Sequence, residues 1–159
     1  MSATEKIGVR LAEQRDLPAL AELSSLLVRL HHSFDCDRFP AVEQDYANFL
    51  GTQFGHRDAV IYVAEDEGKI VGYVFAALEP RSWKELREAA GFIHDLVVDE
   101  ASRGRGIAVC LVEAASVWLE AHGVARIMLG TAARNEKAQR FFERLGFRRT
   151  MIEMTRERR

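Results

Sequence analysis

The sequence predicts one α/β domain with a mixed sheet, and three observations carry that prediction. Runs with strand periodicity and runs at helical spacing follow one another in the order β α α β β β α β α β. The turn Asp66-Glu67-Gly68-Lys69 separates two runs rich in β-branched and aromatic residues, the mark of an antiparallel hairpin. A strand–helix–strand crossover further on must pair its strands in parallel, with a right-handed connection. The 159 residues suit a single domain, taken as 1–159.

Each element has its own local reason. Ile7, Val9 and Leu11 alternate with Gly8 and Arg10, a short strand. Asp16 is an N-cap candidate with Pro18 in the first turn, and Leu20, Leu23, Leu27 and Leu30 follow at helical spacing. Residues 31–40 (HHSFDCDRFP) break that pattern before a second helix over Val42–Leu50. Ala59–Glu65 and Ile70–Leu78 are the hairpin strands, and Phe92–Val98 is a further strand. Gly104–His122 is a long helix with Leu111, Val112, Ala115 and Leu119 on one side, stopped at His122-Gly123. Cys110 lies inside it and is expected in the core. Ile127–Gly130 is a short buried strand. Asn135 caps a helix carrying Ala138, Phe141, Phe142 and Leu145, which Gly146 ends; Phe147–Thr155 reads as a last strand before a charged tail.

Composition excludes several classes. Hydrophobic residues at 48% and charged residues at 29% exclude a disordered or collagen-like chain. Lys+Arg number 22 against 24 Asp+Glu, a net charge of -2, which removes the main electrostatic argument for nucleic-acid or anionic-membrane partners. No apolar run approaches the ~18 residues of a membrane span, and Met1–Arg10 is unlike a secretory signal. Cys36 and Cys110 form no CxxC and no zinc spacing, so a cytoplasmic location is expected. His31-His32 has no third ligand at useful spacing, and no metal site is expected.

The chemistry concentrates after Phe92–Val98. The segment Arg103-Gly104-Arg105-Gly106-Ile107-Ala108 joins that strand to the long helix. Its glycines let backbone amides approach a ligand, and the helix dipole and free amides there favour an anion. Arg103 and Arg105 add positive charge. Strand, glycine-rich turn and helix N-terminus together form a pyrophosphate cradle. A Walker loop is absent, and a dinucleotide fingerprint fails because Val109 occupies its third glycine position.

Arg103–Ala108 matches the Q/R-x-x-G-x-G/A motif of the GNAT superfamily of N-acetyltransferases, and Asn135-x-x-Ala138-x-x-x-Phe142-x-x-x-Gly146-Phe147 resembles that superfamily's second signature. The resemblance extends over most of the chain, including Arg10, Asp16, Leu20 and the hairpin. It implies a mixed central sheet with helices on both faces and parallel strands that splay at the cofactor site. It also implies acetyl-CoA as donor: amides of Arg103 to Ala108 on the pyrophosphate, and the backbone of Leu96, Val97 and Val98 on the pantetheine arm, a ligand filling a sheet edge. Asn135 is either a contact to the pantetheine region or a plain helix cap, and the two are compatible.

Transfer to an amine needs a base, since an aliphatic ammonium has a pKa of ~10.4. The family often places a carboxylate base on the strand before the loop. Here the stretch is Ile93-His94-Asp95-Leu96, similar to the Glu-Asp pair of polyamine acetyltransferases with His94 where Glu would stand. Imidazole, with a reference pKa of ~6.5, suits a base at neutral pH, so His94 is assigned that role. Asp95 is assigned to shaping the site or holding a cationic acceptor. Strand alternation puts Phe92, His94, Leu96 and Val98 on one face and Ile93, Asp95 and Val97 on the other. An amide of Val97 or Val98 is the expected oxyanion donor. The frequent general acid of the family is a Tyr where this chain has Phe142, which leaves the acid unassigned; Tyr46, Tyr62 and Tyr73 are not aimed by anything in the sequence. Acidic residues among His31–Asp45 (Asp35, Asp37, Glu43, Asp45) fit a cationic acceptor, and Trp83 either lines the cleft or packs.

The expected function is direct acetyl transfer from acetyl-CoA to a primary amine, polyamine-like or otherwise cationic. The alternatives are a protein Lys or N-terminus as acceptor, or a non-catalytic acyl-CoA-binding module. Homodimer formation is left open.

Overall fold

A computed structural model describes residues 7–158. A short strand β1 (Gly8–Leu11) leads through one 3-10 turn into α1 (Leu17–Phe34) and α2 (Glu43–Thr52). Strands β2 (Ala59–Asp66), β3 (Lys69–Glu79) and β4 (Ala90–Val98) follow, then α3 (Ile107–Ala121), β5 (Ile127–Met128) and α4 (Glu136–Arg144). The five strands form one sheet in sequence order, antiparallel from β1 to β4 and parallel between β4 and β5.

The predicted hairpin turn is made by Glu67 and Gly68, both at positive φ (50° and 79°), the pair of left-handed residues that matches strand twist. Helices cover both faces. Leu20 and Leu23 of α1 and Leu50 of α2 pack on Ile61, Val63, Tyr73, Phe75, Ala77 and Val97. On the other face Leu111, Val112, Ala115 and Leu119 of α3, joined by Phe142 of α4, pack on Val60, Val74, Ala76, Ile93 and Val98.

Asp16 does not cap α1 through its side chain. Its carboxylate instead takes two hydrogen bonds from the Arg10 guanidinium, at 2.7 and 3.0 Å, and one from the Glu13 amide at 2.8 Å. Those contacts, led by the Arg10 hydrogen bond, hold the buried Asp16 carboxyl below its ordinary range. A carboxyl with a depressed folded-state pKa stabilises the fold above its unfolded value of ~3.9, and that contribution is lost as pH falls through the folded value. Asp16→Asn is therefore expected to cost about 1.5–3 kcal/mol at pH 7. Denaturant melts should show the gap to the parent narrowing as the pH drops below ~4.

Two sequence expectations are corrected here. Phe147–Thr155 forms no strand. Phe147 stays on the core, but Met151, Ile152 and Met154 are more than three-quarters exposed. A strand needs a ladder to join, and β5 offers two residues. Cys110 is exposed rather than buried, because the inward stripe of α3 runs through Ile107, Leu111, Val112, Ala115 and Leu119. Among the described residues no helix is long and apolar enough to cross a membrane. Arg159 lies outside the described residues.

Candidate acetyl-transfer site

β4 and β5 pair only through Gly91–Ile127 and Phe92–Met128. Among the described residues no strand lies beside the β5-side edge of β4 beyond Phe92, the splay the resemblance implies. Asp99 donates its amide to the Val71 carbonyl at 2.8 Å, so backbone groups of alternate residues down β4 face β3. In that alternation the Val97 amide is turned to β3, while the amides and carbonyls of Leu96 and Val98 point to the open edge. The Val98 carbonyl is met there by Nε of Arg103 at 3.2 Å.

The edge runs into the glycine turn. Gly104 and Gly106 hold φ of 80° and 77°, and a Cβ built on either would meet nothing within 4 Å. The left-handed backbone explains why both positions are glycine, and the open space is what a ligand lying on the amides requires. Gly106 is the N-cap of α3 and supplies no side-chain cap. Helix geometry leaves the first-turn amides, those of Ile107 and Ala108 among them, without intrahelical partners. Arg105 is pinned across the turn to Asp66 at 2.6 Å. Asn135 caps α4, its side-chain oxygen accepting from the Ala138 amide at 3.1 Å. These residues fit a diphosphate-bearing ligand extended along β4, with the diphosphate at the α3 N-terminus.

His94 and Asp95 do not face opposite sides as strict alternation requires. The β3–β4 register passes from Phe75↔Asp95 to Ala76↔Ile93, so His94 is the extra residue of a β-bulge. Ile93 consequently packs with Val98 on the α3 face, while Asp95 and Val97 take the α1/α2 face. His94 joins that second face too: its ring stacks on Phe92 (centroids 5.6 Å apart, 16° between planes) and lies 5.2 Å from Phe75. Phe49 of α2 meets Phe75 at 6.2 Å, and the Arg87 guanidinium sits 4.9 Å over Phe92. A row of rings therefore runs from α2 to the β3–β4 loop, interrupted by one imidazole.

The two acid–base residues have different surroundings. The His94 side chain is 35% exposed, and its Nε2 lies 2.9 Å from Glu79 Oε1. Asp95 is buried, and its Oδ2 accepts from the hydroxyls of Tyr46 (2.6 Å) and Tyr73 (2.9 Å). Burial pushes the Asp95 carboxyl up, opposed by the two tyrosine hydrogen bonds. Burial and the neighbouring carboxylate push both tyrosines above their ordinary range. Sequence reasoning named Tyr46 and Tyr73 without placing them at the site, and missed Glu79. All three reach the site from other elements, and no local motif marks them.

The raised Asp95 value has a measurable sign. A carboxyl whose folded pKa exceeds its unfolded one contributes stability below the unfolded value, and loses it as pH rises through the folded value. Asp95→Asn keeps an oxygen for both tyrosine hydroxyls and removes the buried charge. The variant is expected to melt at or above the parent temperature at pH 7, with the difference shrinking toward pH 4; calorimetry at the two pH values checks it.

Phe142 is buried against Phe141 and Phe147, at centroid distances of 5.0 and 5.5 Å. Trp83 is 76% exposed, beneath the Arg81 guanidinium.

A sheet that opens beside a glycine turn at a helix N-terminus, with a bulged strand alongside, defines an acyl-CoA-type transferase fold. The model of the acetyltransferase (GNAT) family matches residues 24–147, and the chain belongs to that family. Members of the family are N-acetyltransferases that use acetyl-CoA as donor. The chain is 30% identical over 126 residues to N-alpha-acetyltransferase 30 of Schizosaccharomyces pombe, covering 76% of this chain and 82% of that protein. It is also 30% identical to human N-acetyltransferase 8B over 69% of this chain, which spans 48% of the human protein. Among solved structures, a tetramutant of the BH1408 protein from Bacillus halodurans superposes with a TM-score of 0.83 at 28% identity, over 94% of this chain and 99% of that one. The aminoglycoside N-acetyltransferase AAC(6')-Iy, solved with CoA, shares the fold at a TM-score of 0.78 and 16% identity, over 100% of this chain and 99% of that one.

Proposed function

We propose that this chain transfers acetyl directly from acetyl-CoA to the primary amine of a small cationic molecule, polyamine-like in character, with His94 as base. The bulge in β4 carries this assignment. It turns His94 and Asp95 to one face, at the point where β4 leaves β5 and the open edge begins. The exposed ring of Phe49 suits an ammonium through cation–π attraction, and the negative charge of Glu79, held by His94, adds attraction at longer range. Asp37, Glu43 and Asp45 extend the acidic character over the α1–α2 segment.

Acetyl-CoA supplies the acetyl carbon and carries off the electron pair of the broken C–S bond as thiolate. His94 takes one proton from the acceptor ammonium, freeing the nitrogen lone pair to form the C–N bond. The second nitrogen proton passes through water to the departing sulfur. Leu96 and Val98 offer outward amides to the donor's arm. Arg103, Gly104, Arg105, Gly106, Ile107 and Ala108 hold the diphosphate, and Asn135 fixes α4 beside the arm. Asp95, buried under Tyr46 and Tyr73, holds the bulge in shape. The protein acts in the cytoplasm.

A polypeptide N-terminus is the second acceptor class, favoured by the likeness to the fission-yeast protein named N-alpha-acetyltransferase 30. CoA-thiol release measured across polyamines, aminoglycosides, amino sugars and peptides separates the two. The highest kcat/KM is expected with a polyamine. Preference for peptides moves the assignment to the second class, and no release with any amine contradicts direct transfer.

A further inference from the structure

We propose that Glu79 is a positioning residue that selects the tautomer of His94, making Nδ1 the nitrogen that receives the acceptor's proton. This rests on His94 being the base. The imidazole is held on three sides. Phe75 and Phe92 fix the plane of the ring, and Glu79, at the end of β3, fixes its rotation through Nε2 at 2.9 Å. A carboxylate has no proton to give, so Nε2 carries the hydrogen in that contact and Nδ1 is left with a lone pair. Nδ1 makes no hydrogen bond among the described residues.

The position of Glu79 follows from the register. Glu79 pairs with Ala90, and the bulge at His94 turns the imidazole to the α1/α2 face, where it meets both Phe75 and Glu79. With strict alternation His94 would lie on the α3 face, away from Glu79. The bulge that exposes the base therefore also supplies its orienting carboxylate. Two further charged groups stand around this pair: Asp95 on the same strand, which interacts electrostatically with His94, and Arg87 from the β3–β4 loop, over the Phe92 ring. Arg87 is occupied by Glu85, by the carbonyls of Pro80 and Glu88, and by the Phe92 ring. None of these reaches Nε2, so Glu79 is the group that sets the tautomer.

Removing the carboxylate charge while keeping its shape isolates the effect. A glutamine can accept from Nε2–H or donate to a bare Nε2, so Glu79→Gln no longer selects one tautomer. Two readouts apply to the full chain: the ratio of His94 tautomers from nitrogen NMR, and kcat against KM for acetyl-CoA. The expected result is a single Nε2–H tautomer in the parent and a mixture in the variant, with kcat down about tenfold and KM for acetyl-CoA unchanged. An unchanged tautomer ratio in Glu79→Gln overturns the role of Glu79 and leaves His94 as base to stand or fall on His94→Ala. A changed ratio with unchanged kcat overturns the proposal from the other side, because His94 is then not the base.

Discussion

Replacing His94 with alanine is expected to lower kcat/KM by ~10²–10⁴ near pH 7, the usual worth of a general base. The loss should be smaller at pH 9, where a larger fraction of the acceptor amine is already neutral and needs no base. The ring also packs between Phe75 and Phe92, so a control is needed for lost packing. His94→Gln, which keeps polar bulk without a titrating nitrogen, provides it. Both variants should lose activity with the same pH dependence. An equal loss at pH 7 and pH 9 points to packing, and full activity moves the base to another group or to bulk water.

Gly106→Glu is the second large effect. The residue would have to adopt φ of 77°, a left-handed backbone that costs a non-glycine residue about 1–2 kcal/mol, and it would project a negative charge from the N-cap of α3. Nothing lies within 4 Å of the new Cβ, so the core is untouched and the fold should persist. Acetyl-CoA affinity should fall at least tenfold, ~1.4 kcal/mol, as read by calorimetry. Gly106→Ala separates the causes: it carries the backbone cost without the charge and should bind more tightly than the glutamate variant.

Much of the fold is legible in the sequence because local physics decides it. The turn at Glu67-Gly68 is marked by the glycine that positive φ prefers, and α4 by an asparagine that bonds the amide three residues on. The glycine turn is legible for the same reason, since backbone that must turn left-handed is written as Gly104 and Gly106. The acid–base geometry is not legible in this way. The bulge adds His94 to β4 with no glycine or proline at that point to mark it, and that single residue reverses the face assignment of Phe92, Ile93 and His94. Tyr46 and Tyr73 reach Asp95 across 49 and 22 residues of sequence, and Glu79 reaches His94 across 15. Contacts of that range are set by register, which a periodic pattern leaves free. The last strand failed for a related reason. Phe147–Thr155 has enough apolar residues for a strand, but the two-residue β5 gives it no ladder to extend.

Acetyl-CoA is expected to lie along the open edge of β4 with its diphosphate on the α3 N-terminus. Amide NMR of the full chain titrated with CoA tests it most directly. The largest shifts are predicted at Leu96, Val98 and Gly104 to Ala108, with Val97 responding less because its amide is turned to β3. Shifts centred on β1 and the β2–β3 turn, or a chain that does not respond to CoA, would contradict it.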